Sequence, residues 1–393
     1  MTTALLTLGR LPKALEVARA LNASGVRVLV AEPFRRHLSG ASKAVDRSFV
    51  VTAPAVDRQR YLAELRDIIS GHAVDLVVPV SEEIVHVSAL HGTLPAQCRL
   101  YSMSQESILN VHHKGRFIEI CHAAGLDAPE SYASDDPRAA ALVDATAYVL
   151  KPVSSCSGRG VRFLARGEAM PSVDEPSIVQ RFVRGDLVSS FSIARRGEVR
   201  TTVLYRGAVM QGTVAVCFER IDVPPAVQQW IDRFVAHTGF DGFVSFDLMI
   251  DAEGSVHGLE CNPRATSGIH FVDPQGLAGA LLDPDNAAAP GLRPERLQQQ
   301  FYPCLTETQK SMFSARFRRN LHCLLNAREV TWQASDPWPF VGMPYTAWNI
   351  IALASRKRMT FGEVAMLDFA APAAGSAAAT DAAAAAESCR AAP

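Results

Sequence analysis

Residues 242–264 read GFVSFDLMIDAEGSVHGLECNPR, and this stretch decides the fold. Two apolar-rich runs, 243–250 and 256–261, flank turn-forming residues 251–255, a pattern that predicts a β-hairpin. A turn at Ala252-Glu253 sets Asp247 opposite Gly258 with Glu260 diagonal; a turn at Glu253-Gly254 sets Asp247 directly opposite Glu260. In both registers Asp247, Glu260 and Asn262 share one face, within about 5–8 Å of their cross-strand partners. A three-residue turn would break that arrangement. Two carboxylates and an amide oxygen on a rigid face suit Mg²⁺ bound together with a nucleotide phosphate. A solvated acidic strand face is the alternative. Against it, Phe246, Leu248, Leu259 and Cys261 are expected to give the ribbon an apolar back, and Asn-Pro-Arg ends the second strand.

Upstream, residues 147–152 (AYVLKP) predict a strand that delivers Lys151, followed by the small-residue loop SSCSGRG and a second strand at 161–164. Backbone N–H groups of such a loop can turn inward to hold polyphosphate. It is not a Walker A loop, because G-x-x-x-x-G-K-[ST] is missing; taken alone, it also reads as a plain turn. The chain has only six lysines among its 39 basic residues. A lysine kept in so Arg-biased a chain is one where a compact ammonium is wanted, or a leftover of gene composition.

Toward the N-terminus the pattern alternates: strand at 4–8, helix at 12–22, strand at 26–31, helix at 60–70 and strand at 75–80. Alternation of this kind predicts a parallel sheet with right-handed crossovers. Only Gly9 follows the first strand, so the G-x-G-x-x-G dinucleotide fingerprint is missing and a nicotinamide site is not expected. A helix is expected over 104–124, with Lys114 inside it or at a break, and strands at 177–183 and 188–195. Residues 275–300, rich in Pro, Gly and Ala, read as a surface connection. Helical spacing returns at 307–326 and 345–355, and the Ala-rich segment 370–393 reads as a disordered tail.

The composition is that of a folded chain: 393 residues, 48% hydrophobic, enough to bury more than one core. A net charge of −1 argues against a dedicated nucleic-acid binder. Eight cysteines without C-x-x-C spacing suggest neither zinc nor a redox motif, and read as reduced thiols of a cytoplasmic protein. No run approaches the ~18 apolar residues of a membrane span, so no membrane partner is expected.

Taken in order, these elements resemble the ATP-grasp superfamily. They look most like the branch related to the ATP-binding half of carbamoyl phosphate synthase and to biotin carboxylase. The resemblance rests on a Lys before a helix ending AAGLDAPES, then LKPVSSCSGRGV, VQRFVRGD, FDLMID and LECNPR, together with VVPVSEE at 77–83. It implies a mixed α/β and α+β chain. A Rossmann-like parallel-sheet (pre-ATP-grasp) domain would occupy 1–100. A two-part ATP-grasp fold would span 101–275, with a smaller lid at about 125–185. A C-terminal extension at 276–369 and the tail at 370–393 would follow.

The resemblance also assigns roles. Lys114 and Lys151 would meet the ATP phosphates, and the loop with Ser155, Ser157, Gly158 and Gly160 would close over them. Gln180, with the Arg181, Phe182 and Val183 backbone, would meet adenine, and Asp186 the ribose. Asp247, Glu260 and Asn262 would bind Mg²⁺, and Arg264 would steady the transferring phosphoryl group or acyl intermediate. Three departures stand out: Gln at 180 and Asp at 186 where the family usually has Glu, and a Ser-rich loop.

The expected activity is an ADP-forming ligase that activates a small-molecule carboxylate as an acyl phosphate and joins it to an amine. A bicarbonate-activating carboxylase and a non-catalytic nucleotide-binding protein are the alternatives, and a homodimer is compatible with the reading. His112 and His113 read as solvated or capping residues. His270 is a candidate for the acceptor pocket, Glu219 and Arg220 read as a surface ion pair, and residues 335–340 (SDPWPF) as a packed turn.

Overall fold

The computed structural model describes residues 1–153, 160–357, 364 and 369. Ser155, Ser157 and Gly158 of the expected phosphate loop, and the tail at 370–393, lie outside the described residues. The chain opens with a five-stranded sheet: β1 (Thr3–Leu6), β2 (Arg27–Glu32), β3 (Arg47–Val50), β4 (Leu76–Val78) and β5 (Arg99–Leu100), in the order β3-β2-β1-β4-β5. Every pairing is parallel, as the strand–helix alternation requires. Helix α1 (Pro12–Ala23) starts on a proline, whose fixed φ and missing N–H suit a first turn. It buries Ala14, Leu15, Val17, Ala18 and Leu21. Helix α2 (Arg58–Gly71) is N-capped by Asp57, and the short α3 (Ile84–Val87) follows β4.

The helix expected at 104–124 is two helices, α4 (Gln105–His112) and α5 (Lys114–Ala123). Between them His113 leaves helical geometry and accepts the Arg116 N–H as an N-cap. Lys114 thereby becomes the first residue of a helix.

A four-stranded antiparallel sheet follows, of β6 (Ser131–Ala133), β7 (Tyr148–Pro152), β8 (Arg162–Leu164) and β9 (Ser177–Arg181), ordered β6-β9-β7-β8. Helix α6 (Pro137–Ala145) lies between β6 and β7 in the chain. The chain then crosses to a seven-stranded sheet at Gly185, where a Cβ would stand 2.1 Å from the Ile250 carbonyl oxygen. Glycine is required at that crossing.

The large sheet comprises β10 (Asp186–Arg195), β11 (Glu198–Gln211), β12 (Val214–Ile221), β13 (Gly242–Ile250), β14 (Val256–Asn262), β15 (Leu297–Gln299) and β16 (Arg328–Glu329). Their order is β14-β13-β10-β11-β12-β15-β16. Helix α7 (Pro225–Thr238) buries Val227, Trp230, Ile231, Phe234 and Val235 in a core shared with Phe117, Phe246 and Leu248.

Residues 275–300 are a surface connection only in their middle, 283–296; both ends are built into the fold. Helix α8 (Pro274–Leu282) packs Leu277, Ala278 and Leu281 into the core that holds α1, and β15 pairs with β12. Small residues allow close helix contact, so a composition that reads as loop is here a buried helix. The segment expected as one helix at 307–326 is divided into α9 (Phe301–Lys310) and α10 (Phe317–Asn326). Helices α11 (Trp338–Val341), α12 (Met343–Thr346) and α13 (Trp348–Lys357) follow. The SDPWPF segment is tied down by Asp336, which accepts from Arg19, the Ser42 hydroxyl and the Lys43 N–H. Among the described residues no helix is long and apolar enough to cross a membrane.

Candidate active site

The hairpin reaches its acidic pairing by a route that turn length does not reveal. From the loop, Ile250 pairs with Val256, Met249 with His257 and Leu248 with Gly258. Continued evenly, that register would set Asp247 against Leu259. A bulge intervenes, and Asp247 stands opposite Glu260, with Phe246 opposite Cys261 and Ser245 opposite Asn262. One extra residue thus puts the two carboxylates face to face. Leu259 is the residue displaced: it is half-buried and does not join the apolar back, whereas Phe246, Leu248 and Cys261 do. Gly258, just before the bulge, lies so close to α7 that a Cβ would meet the Trp230 ring at 2.5 Å.

The facing carboxylates titrate apart. Burial, and then the neighbouring Glu260 charge, push Asp247 up to about 7, while a 2.6 Å hydrogen bond from the Ser189 hydroxyl works the other way. Burial acts on Glu260 too, but Lys114, a hydrogen bond with Asp247 and Lys151 outweigh it and bring the group down to about 2. The Lys114 Nζ, on an almost fully buried side chain, lies 3.7 Å from Glu260 Oε2. Burial lowers Lys151, against the attraction of Glu260. Two lysines and two carboxylates therefore share one electrostatic neighbourhood.

The donor set fits a hard divalent cation. Two opposed carboxylate groups strain toward sharing a proton, and a doubly charged ion held by oxygen ligands removes that conflict. Asn262 Oδ1 adjoins them and accepts from Arg264 Nη2 at 2.9 Å. Among the described residues no three His, Cys, Asp or Glu side chains form a metal cluster. An ion here would rest on these two carboxylates, the Asn262 amide oxygen and oxygens brought by a ligand.

Lys151, last but one in β7, reaches across to β9 and donates to Gln180 Oε1 at 2.7 Å. That oxygen was expected to face an adenine amino group. Gln180 Nε2 in turn donates to the Ser131 hydroxyl. The N–H groups of Arg181 and Phe182 go to the Glu130 and Ala147 carbonyls, so both are engaged within the protein. Asp186 is exposed at the start of β10, opposite Ile250. Gly160 is exposed, with a positive φ of 74°.

The fourth side of the site comes from the N-terminal sheet. Arg264 Nη2 donates to Glu82 Oε1 at 2.5 Å, and His112 Nε2 lies 3.2 Å from Glu82 Oε2. Burial would raise Glu82; Arg264 and His112 together hold it well below the usual carboxylate range. His112 is therefore engaged with Glu82 rather than simply solvated, while His113 is the cap it was read to be. His270 is buried, with Nδ1 3.0 Å from Glu16 on α1. Glu219 on β12 pairs with Arg206 on the neighbouring β11, not with Arg220. Ser189 was missed in the sequence, since nothing sets it apart from Ser190 and Ser192 on the same strand until β10 is known to pair with β13.

Residues 111–268 match the family model of the ATP-grasp domain. The chain carries an ATP-grasp domain. Its fold is similar to that of several enzymes of known structure. N5-carboxyaminoimidazole synthetase from Staphylococcus aureus superposes with a TM-score of 0.60 at 11% identity, covering 79% of this chain and 85% of that one. L-amino acid ligase from Bacillus licheniformis gives 0.56 at 14% identity, covering 76% and 78%. The biotin carboxylase domain of 2-oxoglutarate carboxylase from Hydrogenobacter thermophilus gives 0.56 at 13% identity, covering 71% and 69%. Comparison with curated proteins yields no significant sequence match. The bulged hairpin, both lysines and Arg264 all fall inside the matched ATP-grasp segment.

Proposed function

We propose that this ATP-grasp protein is an ADP-forming ligase that activates a small-molecule carboxylate as an acyl phosphate and joins it to an amine. The observation that carries the reading is the meeting of Lys114 and Lys151 with the Asp247–Glu260 pair in one electrostatic neighbourhood. Phosphoryl transfer requires cations around a spreading negative charge. Lys151, at the end of a rigid strand, and Lys114, at the start of a helix, supply two from fixed elements. Asp247, Glu260 and Asn262 would hold Mg²⁺, which when bound neutralises phosphate charge.

Arg264 is positioned from two sides, by Asn262 and by Glu82. Its guanidinium is thus oriented before substrate arrives, and it would steady the transferred phosphoryl group or the acyl phosphate. The Glu82–His112 contact brings a carboxylate and an imidazole from the N-terminal half to the same edge, the side from which the acid and amine would enter. Because the folds of an amino acid ligase and of carboxylases are both similar to this one, the nature of the acid is set by experiment.

Purified protein with ATP, Mg²⁺ and hydroxylamine is screened against amino and keto acids. The reading expects at least one acid to stimulate ADP release and to yield its own hydroxamate. AMP and pyrophosphate as products would overturn it in favour of adenylation, and ADP release driven by bicarbonate alone would move it to carboxylation.

A further inference from the structure

Away from the Asp247–Glu260 pair, three cysteines that are far apart in sequence converge. Cys217 on β12, Cys304 on α9 and Cys323 on α10 share one buried cluster with Ala208, Val209 and Val216. Cys217 and Cys304 are wholly shielded from solvent and Cys323 nearly so. The Cys217 thiol lies within hydrogen-bonding reach of both of the others, and its single proton can serve one of them at a time. The ring of small aliphatic side chains around them would pack as well on alanine or valine, so packing alone does not ask for three touching thiols.

Two of the three, Cys304 and Cys323, also differ from the other buried cysteines, whereas Cys217 is raised as they are. Burial pushes the Cys98 thiol up to about 11 and raises Cys121 and Cys261 as well. Cys323 moves the opposite way, to about 7, because the hydrogen bond from Cys217 outweighs burial and Arg319 adds to it. Thiolate character at one member of a touching set is what thiol–disulfide exchange needs.

We propose that Cys217, Cys304 and Cys323 form a reversible oxidation site in which Cys217 closes a disulfide with Cys323 or, by exchange, with Cys304. The oxidant is a low-molecular-weight disulfide. The Cys323 thiolate attacks one of its sulfurs, forming a mixed disulfide and releasing one small thiolate. Cys217 then loses its proton and attacks the Cys323 sulfur, releasing the second. The two cysteines are oxidised by two electrons, and the small disulfide is reduced to two thiols that take up the two protons. Attack of Cys304 on Cys217 moves the bond without net redox change and returns Cys323 as a thiolate. Either bond fastens a C-terminal helix to the large sheet and closes a long loop, which restricts the unfolded chain.

The test uses the full-length protein incubated with oxidised glutathione, alkylated under denaturing conditions and mapped by mass spectrometry without reduction. The expected result is an intramolecular link from Cys217 to Cys323 or Cys304, reversed by dithiothreitol. It should come with a melting temperature several degrees higher than that of the reduced protein. Cys304→Ser should retain the Cys217–Cys323 link, Cys323→Ser should lose the rapid first step, and Cys217→Ser should lose both links. Recovery of all three residues as alkylated thiols from folded protein would overturn the proposal, as would disulfides that bypass Cys217.

Discussion

Lys151 and Gln180 form one unit, because the 2.7 Å bond between them joins the residue expected at the phosphates to the one expected at adenine. Lysine at 151 was legible as the end of a strand before a small-residue loop. Its bond to Gln180 was not, because it depends on β7 and β9 being neighbours in a sheet. Lys151→Ala is expected to weaken ATP by ten- to a hundredfold, the ~1.5–3 kcal/mol of a hydrogen bond to a charged group. Adenosine should lose less than about threefold, through the loosened Gln180. Titration calorimetry with both ligands checks this; equal weakening would make Lys151 a structural residue.

At the scale of elements, the bulged hairpin carries the site. Its two strands were legible because apolar and polar residues alternate around a turn-forming segment. The bulge was not, since one extra residue leaves no mark in composition; the Glu253-Gly254 register gives the observed Asp247–Glu260 pairing but not the pairs nearer the turn. The small-residue segment after the hairpin misled for a related reason, since Ala and Gly serve a tight helix contact as well as a loop. Gly258 makes the bulge and its packing compatible: without a side chain there, Trp230 can lie against the strand. Gly258→Ala is expected to cost about 1–3 kcal/mol by overpacking. Urea denaturation checks it, and an unchanged midpoint would show that the ring yields freely.

In the molecule as a whole, the N-terminal sheet and the ATP-grasp region are joined by buried charge. Glu16 on α1 meets His270 and Arg293, and although burial raises it, these partners bring it down to about 2. A carboxyl lowered on folding stabilises the protein fully above its ordinary value of 4.5 and loses that contribution as pH falls toward 2. Glu16→Gln should therefore cost on the order of 3 kcal/mol near neutrality. The gap between wild type and variant should narrow as pH falls from 5 toward 2; a gap unchanged at pH 3.5 would contradict the account. The sequence showed the two-part plan through its strand order, but not this joint, whose members lie some 250 residues apart in the chain. Nor could spacing show three cysteines meeting, because only folding brings β12, α9 and α10 together. The central claim is that the Asp247–Glu260 ribbon, completed by the two lysines, transfers phosphate from ATP. The most direct measurement is ADP release by Glu260→Gln, taken alongside its thermal melt, with an acid that stimulates the wild-type protein. The account predicts cooperative melting with turnover abolished, whereas near wild-type turnover from a folded Glu260→Gln protein would contradict it.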